Sequence, residues 1–208
     1  MKDLIILGSG GHSRSVVSIA NSMNEWNILA IVDFNFNEKN EYIYNVPVKS
    51  FDEVINKINP SKLNVFIAIG NNMERFYIYK KIEKYNFSYP NLIHPLACLD
   101  PTSQIGKGNY IGQFSNLGAY SKIGDFNIIN TYSNIEHEVS IGNFNQLSPG
   151  SIICGRSTLQ CKTFMGANSV IIDKLKIAEH TTIGAGAVVI KDIEFPNNTY
   201  IGVPAKIK

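Results

Sequence analysis

The sequence predicts a two-part fold: a small parallel α/β sheet covered by helices in the first half, and a parallel β-helix of six-residue repeats in the second. Three observations carry this reading. Apolar runs alternate with helical periods up to about residue 95, a glycine cluster follows the first apolar run, and one aliphatic residue recurs every six positions from Leu99 onward.

In chain order, Leu4-Ile5-Ile6-Leu7 reads as a buried strand and Gly8-Ser9-Gly10-Gly11 as the turn that ends it. His12 to Met23 carries Val16, Val17, Ile19 and Ala20 at helical spacing. Ile28 to Phe34 is the second strand, Phe51 to Ile58 a helix, Val65 to Gly70 the third strand, Arg75 to Tyr85 a helix, and Tyr89 to Ile93 a short last strand. Such alternation argues for parallel strands joined by helical crossovers. The boundary is expected near Pro95 to Asp100, which gives domains of residues 1–96 and 97–208.

The second half keeps one period throughout. The series runs Leu99, Ile105, Ile111, Leu117, Ile123, Ile129, Ile135, Ile141, Leu147, Ile153, Leu159, Met165, Ile171, Ile177, Ile183 and Val189. Ile, Leu, Val and Met are 57 of the 208 residues, so sixteen successive hits have a chance probability on the order of one in 10^8. The residue after the aliphatic one is often glycine (Gly106, Gly112, Gly118, Gly124, Gly142, Gly166, Gly184), and four places after it small or short polar residues dominate. Short strands with tight corners fit this pattern, the aliphatic side chain filling a narrow interior with the small residue beside it. Three hexapeptides make one triangular coil, so residues 99 to about 192 supply about five coils with no inserted loop.

Composition excludes several classes. At 208 residues the chain can bury an ordinary core without disulfides or a structural metal. With 44% apolar and 17% charged residues it is too hydrophobic and too evenly charged to be disordered. The net charge of +2 comes without a run of Lys or Arg, which argues against nucleic acid as a partner. No apolar run approaches the roughly 20 residues of a membrane span. The N-terminus lacks a signal-peptide pattern, so a cytoplasmic location is expected. Cys98, Cys154 and Cys161 form neither an even set nor a Cys-x-x-Cys pair and read as free thiols.

The glycine turn lets a ligand approach the backbone, and the helix behind it presents free N–H groups and a positive dipole end to phosphate. A dinucleotide fingerprint wants glycine at its sixth place, where Ser13 stands, which weakens NAD binding. Asp33 ends the second strand, where a carboxylate can accept from ribose hydroxyls or simply close a turn. His12 could bond a phosphate or cap the helix. Gly70 and Asn71 end the third strand at the same sheet edge. A nucleotide without nicotinamide is the economical ligand.

In the repeat half the cluster Glu136-His137-Glu138 stands out. Histidine is the usual general base near neutral pH, and an adjacent carboxylate fixes its tautomer; a solvated polar corner is the alternative. A zinc hydratase would need histidines on facing walls, and only His137 and His180, with His94 just before, are available, so no metal is expected. A non-catalytic binding protein for nucleotide sugars is not excluded by the spacing.

The chain resembles the bacterial hexapeptide-repeat sugar acyltransferases, on the segments Gly8-Ser9-Gly10-Gly11-His12, Phe66-Ile67-Ala68-Ile69-Gly70-Asn71-Asn72, Asn91-Leu92-Ile93-His94, Asn130-Thr131, Ile135-Glu136-His137-Glu138 and Gly202-Val203-Pro204-Ala205-Lys206. Within that group it is most similar to the N-acetyltransferases of UDP-4-amino-4,6-dideoxy sugars in bacillosamine-type pathways, with sialic acid O-acetyltransferases next. The resemblance implies an N-terminal Rossmann-like domain, a C-terminal left-handed parallel β-helix, acetyl-CoA as co-substrate and a homotrimer. It implies His137 as the base for the 4-amino group, Glu138 as its orienter, Asn130 near the acceptor sugar and the Gly155 N–H at the developing oxyanion. Gly155, Gly166, Ala167, Ala185, Gly186 and Lys206 fall where the family holds acetyl-CoA. Gly10, Gly11, His12, Asp33, Gly70, Asn71 and Asn130 are the expected contacts to a nucleotide-linked amino sugar. The family often carries a second histidine nine residues after the catalytic one; here it is Gln146, an amide that cannot take up a proton near neutral pH.

Overall fold

A computed structural model describes residues 1–36, 41–55 and 63–208. The chain divides into two compact units, Met1–Leu92 and Ile93–Lys208.

The first unit is built on β1 (Lys2–Leu7), β2 (Trp26–Asp33), β3 (Tyr42–Ile43), β4 (Val46–Ser50) and β5 (Asn64–Ile67), ordered β3-β4-β2-β1-β5. Every pairing is parallel except β3 with β4. Leu4 to Leu7 are at most 1% exposed because β1 lies between β2 and β5, with α1 (Gly11–Met23) packed on it through Val16, Val17, Ile19 and Ala20. Gly8, at φ +113°, is required where β1 turns: a Cβ there would meet Ala68 O at 2.9 Å.

Several boundaries differ from the sequence reading. The helix expected over Phe51 to Ile58 is α2 (Phe51–Ile55), and its expected continuation lies outside the described residues. The third helix is α3 (Asn72–Ile82) followed by a 3-10 turn, Glu83–Tyr85. It starts three residues before Arg75 because the Asn71 side chain caps it, accepting from Met73 N and Glu74 N at 3.0 Å each. The hairpin of β3 and β4 was not foreseen. Its two-residue turn, Tyr44-Asn45, has both φ positive (51° and 65°), a conformation usually announced by Asn-Gly. The short last strand expected over Tyr89 to Ile93 does not form as one element: Ser88 makes an isolated bridge to Asn64, and Leu92–Ile93 heads a β-helix ladder.

The second unit is the β-helix. Two-residue strands form three parallel ladders in which partners are one coil apart, as in Leu117↔Ile135 and Ile135↔Ile153. The six-period residues from Ile111 to Val189 are all at most 4% exposed and form one continuous core. The short polar residues four places later, Ser115, Ser121, Asn127, Ser133, Asn145 and Ser151 among them, are fully buried beside them. One corner carries an internal amide ladder: Asn109 Oδ1 accepts from Asn127 N, Asn127 Oδ1 from Asn145 N, and Asn145 Oδ1 from Thr163 N. Thr199–Ile201 joins the final coil beside Thr182–Ile183 and pairs antiparallel with Lys206–Ile207.

The glycines that follow the aliphatic residues have a different task from the one the sequence suggested. They do not turn the corners; they let successive coils approach, since a Cβ on Gly118 would sit 2.8 Å from Glu136 C and one on Gly166 would clash with Ala185 N. The corners turn elsewhere, through a left-handed residue at every sixth position from Gly108 to Gly186. Most of these are not glycine: Phe114, Tyr120, Phe126, Tyr132, Glu138, Phe144, Arg156, Lys162, Asn168, Lys174 and His180 all have φ between 55° and 63°.

Candidate active site and nucleotide pocket

At the carboxyl edge of the first unit's sheet lies a pocket of about 370 Å³ lined by Gly8, Ser9, Gly10, Gly11, His12, Asp33, Phe34, Asn35, Ala68, Ile69, Gly70, Glu74 and Ile78. This is where open parallel sheets bind ligands. Gly10 is the N-cap of α1 and brings no side chain to it, so the first N–H groups of the helix are available to an anion. Cβ atoms on Gly10, Gly11 and Gly70 would meet nothing within 4 Å. Unlike Gly8, these glycines are not demanded by contacts inside the protein. What their lack of side chain leaves is room for a ligand against the backbone.

Asp33 is positioned from two sides, with Ser9 Oγ donating to Oδ2 at 2.6 Å and Asn35 N–H to Oδ1 at 2.7 Å. Each carboxylate oxygen keeps a further lone pair for a hydroxyl. Ser13, which stands in place of a third fingerprint glycine, is fully buried and donates from Oγ to Gly10 O at 2.6 Å. Burial of the His12 ring, then the nearby charge of Arg75, push its pKa down to about 3, so the imidazole is neutral at neutral pH. Five of the expected nucleotide residues, Gly10, Gly11, His12, Asp33 and Gly70, line the pocket together. Asn71 serves as the cap of α3.

Sequence reasoning missed Phe34, Asn35, Glu74 and Ile78 as lining residues, and missed Arg75. That arginine is 1% exposed, donates to the carbonyls of Ile69 and Gly70 and to Asn72 Oδ1, and is lowered to about 9 by burial. On a helix of mixed polarity an arginine reads as a solvated side chain, and no sequence signal marks this one.

In the β-helix, His137 and Glu138 share a corner with Gly155, one coil further along. His137 Nδ1 lies 3.2 Å from Glu138 Oε2. When the ring is neutral and Nδ1–H donates to that carboxylate, Nε2 is left with a bare lone pair. Nε2 and Cε1 overhang Gly155, where a Cβ would come within 2.5 Å of each. Glu136 is engaged separately: it accepts from Asn134 Nδ2 at 2.7 Å, and Asn116 Nδ2 donates in turn to Asn134 Oδ1. The neighbouring Cys154 is raised above the ordinary thiol range by burial and by the charges of Glu136 and Asp173, which disfavours a thiolate nucleophile.

Asn130, Gly166, Ala167, Ala185 and Gly186 fall on a different corner, the one after the ladder that contains Ile128–Ile129, Phe164–Met165 and Thr182–Ile183. Asn130 uses its Oδ1 to accept from Thr131 N at 2.9 Å. Gly186 N bonds Ala167 O at 2.8 Å, and the space over Gly186 is open. These residues give a strip of nearly side-chain-free backbone along the helix axis. Lys206 lies on the closing strand pair and lines a largely apolar pocket of about 350 Å³ with Val189, Ile190 and Tyr200. Gln146 is half-buried within a ladder, between Ile128 and Phe164. The structure therefore brings together His137, Glu138 and Gly155, and separately the strip at 166, 167, 185 and 186. Among the described residues no group of three His, Cys, Asp or Glu side chains is placed to hold a metal ion, and no helix is long and apolar enough to cross a membrane.

Residues 3–82 match the PglD N-terminal domain family. The chain is 30% identical over 113 residues to UDP-N-acetylbacillosamine N-acetyltransferase of Bacillus subtilis (strain 168), a match covering 53% of this chain and 51% of that protein. It thus spans about half the length of that curated relative. Solved structures match over the whole chain. A histidine-to-alanine variant of GDP-perosamine N-acetyl transferase from Caulobacter crescentus, in complex with CoA and GDP-perosamine, superposes with a TM-score of 0.93 at 32% identity, covering 100% of this chain and 97% of that one. The acetyltransferase domain of PglB from Neisseria gonorrhoeae FA1090, in complex with acetyl coenzyme A, gives 0.91 at 27% identity, covering 100% and 99%.

Proposed function

This chain belongs to the PglD-like family of hexapeptide-repeat sugar N-acetyltransferases, and from that premise we propose that it transfers acetyl from acetyl-CoA to the 4-amino group of a nucleotide-linked 4-amino-4,6-dideoxy sugar. The observation that carries this reading is the His137–Glu138 pair over Gly155, which leaves a bare imidazole nitrogen in a slot open to a substrate amine.

In this reading Glu138 holds the Nδ1–H tautomer, and His137 Nε2 takes the proton from the amine as its nitrogen bonds to the acetyl carbon. The carbon–sulfur bond breaks and the CoA sulfur leaves, taking up a proton. The Gly155 N–H faces the negative charge that develops on the carbonyl oxygen. Such a charge is met best by a preoriented backbone donor, and Gly155 is also the residue whose missing side chain admits the imidazole. No thiol need act, in keeping with the raised Cys154. The strip at Gly166, Ala167, Ala185 and Gly186, with Lys206, would hold the CoA arm, since bare backbone lets an extended chain lie close. Asn130 is assigned to the acceptor sugar. The strip and His137 lie on different corners of one chain, which favours a homotrimer in which one subunit's strip faces its neighbour's histidine. In the first unit, the helix terminus and Asp33 suit a diphosphate and a ribose.

The test is incubation with acetyl-CoA and UDP-, GDP- and dTDP-linked 4-amino sugars, following release of free CoA. Release is expected only with a nucleotide-linked amino sugar. Equal turnover of free sialic acid, independent of nucleotide, would overturn the reading in favour of O-acetylation.

A further inference from the structure

The loop between β5 and α3 forms one lip of the nucleotide pocket through Ala68, Ile69 and Gly70. Arg75 lies one turn into α3, and its guanidinium is buried beneath that loop. From Nη1 it donates to Ile69 O at 2.8 Å and Gly70 O at 2.9 Å, and from Nη2 to Asn72 Oδ1 at 2.8 Å. In a trans peptide the C=O and the following N–H point in opposite directions. Two carbonyls drawn onto one buried cation therefore send the N–H groups of Gly70 and Asn71 the other way, to the side where Gly70 borders the pocket.

We infer that Arg75 is a positioning residue for the nucleotide: by holding the Ile69 and Gly70 carbonyls it aims the Gly70 and Asn71 N–H groups at the pocket, opposite the N-terminus of α1, as a second donor set for a diphosphate. Successive backbone N–H groups turned to one side make an anion-binding concavity. Without the guanidinium, two carbonyl dipoles would be free to turn toward a ligand that carries negative charge. The cation also sits behind the lip, where it adds an attractive field across a few ångströms of low-dielectric protein. The depressed His12 shows that this charge is felt inside the pocket. Asn72, at 8% exposure, completes the fork by fixing Nη2. The proposal rests on the reading of the front pocket as a nucleotide site and adds the residue that shapes it.

Calorimetric titration with UDP, GDP and dTDP, together with KM for acetyl-CoA, tests this. Arg75→Met should weaken the nucleotide that the wild type binds by about tenfold or more, the range expected when hydrogen bonds to a charged group are lost. The KM for acetyl-CoA should stay within twofold, because the residues assigned to it belong to the other unit. Asn72→Ala keeps the charge and loosens the fork, and should weaken nucleotide binding by about threefold with the fluorescence of buried Trp26 unchanged; it decides the matter if Arg75→Met does not fold. Arg75→Lys keeps a cation without the two-nitrogen fork and should remain weakened. Full affinity in Arg75→Lys would show that charge alone suffices and overturn the positioning role, as would Asn72→Ala with unchanged nucleotide affinity. A wild type that binds none of the three nucleotides would instead overturn the pocket reading on which this rests.

Discussion

The imidazole of His137 occupies the space that a side chain on Gly155, one coil along, would fill: a Cβ there would lie 2.5 Å from both Cε1 and Nε2. The glycine therefore sets the rotamer of the proposed base, in addition to offering its N–H. Gly155→Ala should swing the ring away and lower kcat by about 10 to 100-fold, the scale of loss for displacements near 1 Å. Steady-state kinetics check this, and a variant within threefold of wild-type kcat would mean that the ring does not work from its present position.

His137 and Glu138 should behave as a unit. Removing a general base typically costs about 10^2 to 10^4 in rate, so His137→Ala should fall into that range with acetyl-CoA binding retained. Glu138→Gln can still accept from Nδ1–H but loses the charge that steadies the protonated ring, and a drop of about tenfold is expected. The two side chains are about half exposed, 50% and 55%, which limits what the carboxylate can contribute. The decisive measurement is the double variant: Glu138→Gln should add almost nothing once His137 is alanine. Additive losses would separate the two roles.

His12 makes the stability of the first unit depend on pH. Its folded pKa of about 3 lies below the ordinary value of 6.5, so between those limits the unfolded chain binds a proton that the folded chain refuses. Stability contributed by the neutral ring is complete above pH 6.5 and is lost as pH falls toward 3, at about 1.4 kcal/mol per unit and on the order of 4 kcal/mol in all. Trp26, the only tryptophan and 8% exposed in β2, reports unfolding of this unit. Urea titrations between pH 7 and pH 4 should show a steep loss in the wild type and a flatter one in His12→Gln; equal slopes would mean that His12 is not held neutral by its surroundings.

The six-residue period made the β-helix legible because every aliphatic member faces one narrow core, and no residue is inserted to break the register. The glycine turn was legible for a similar reason: Gly8 has a backbone conformation that few other residues tolerate. Three things were not. The β3–β4 hairpin turns through Tyr44 and Asn45, which carry no strong turn signal. Arg75 is buried by tertiary contacts that its neighbours on α3 do not foreshadow. The corners escaped because φ is positive at phenylalanine, tyrosine and lysine, where the stacked coils impose a conformation that the residues disfavour on their own.

That last feature supports a prediction whose sign depends on what each corner residue touches. A non-glycine residue in the left-handed region costs roughly 1–2 kcal/mol relative to glycine, partly offset because glycine loses more freedom on folding. Lys174, at φ 63°, is exposed, and its side chain offers only an exposed contact to Asp173. Relief should win there, and Lys174→Gly should stabilise by about 0.5–1 kcal/mol. Phe126, at φ 56°, is 2% exposed and stacks on Phe144 with centroids 5.0 Å apart. Burying such a ring contributes about 1.5–3 kcal/mol and the stacking about 0.5–1.5 more, so Phe126→Gly should destabilise despite the same relief. Gly108→Ala takes the opposite step, since it adds a methyl at φ 68° only 2.6 Å from the Phe126 ring, and should cost more than about 1 kcal/mol. Thermal unfolding of the three variants checks the order. If Lys174→Gly and Phe126→Gly shifted in the same direction, local strain alone would govern the corners, and the packing of aromatic side chains between coils would not be what offsets it.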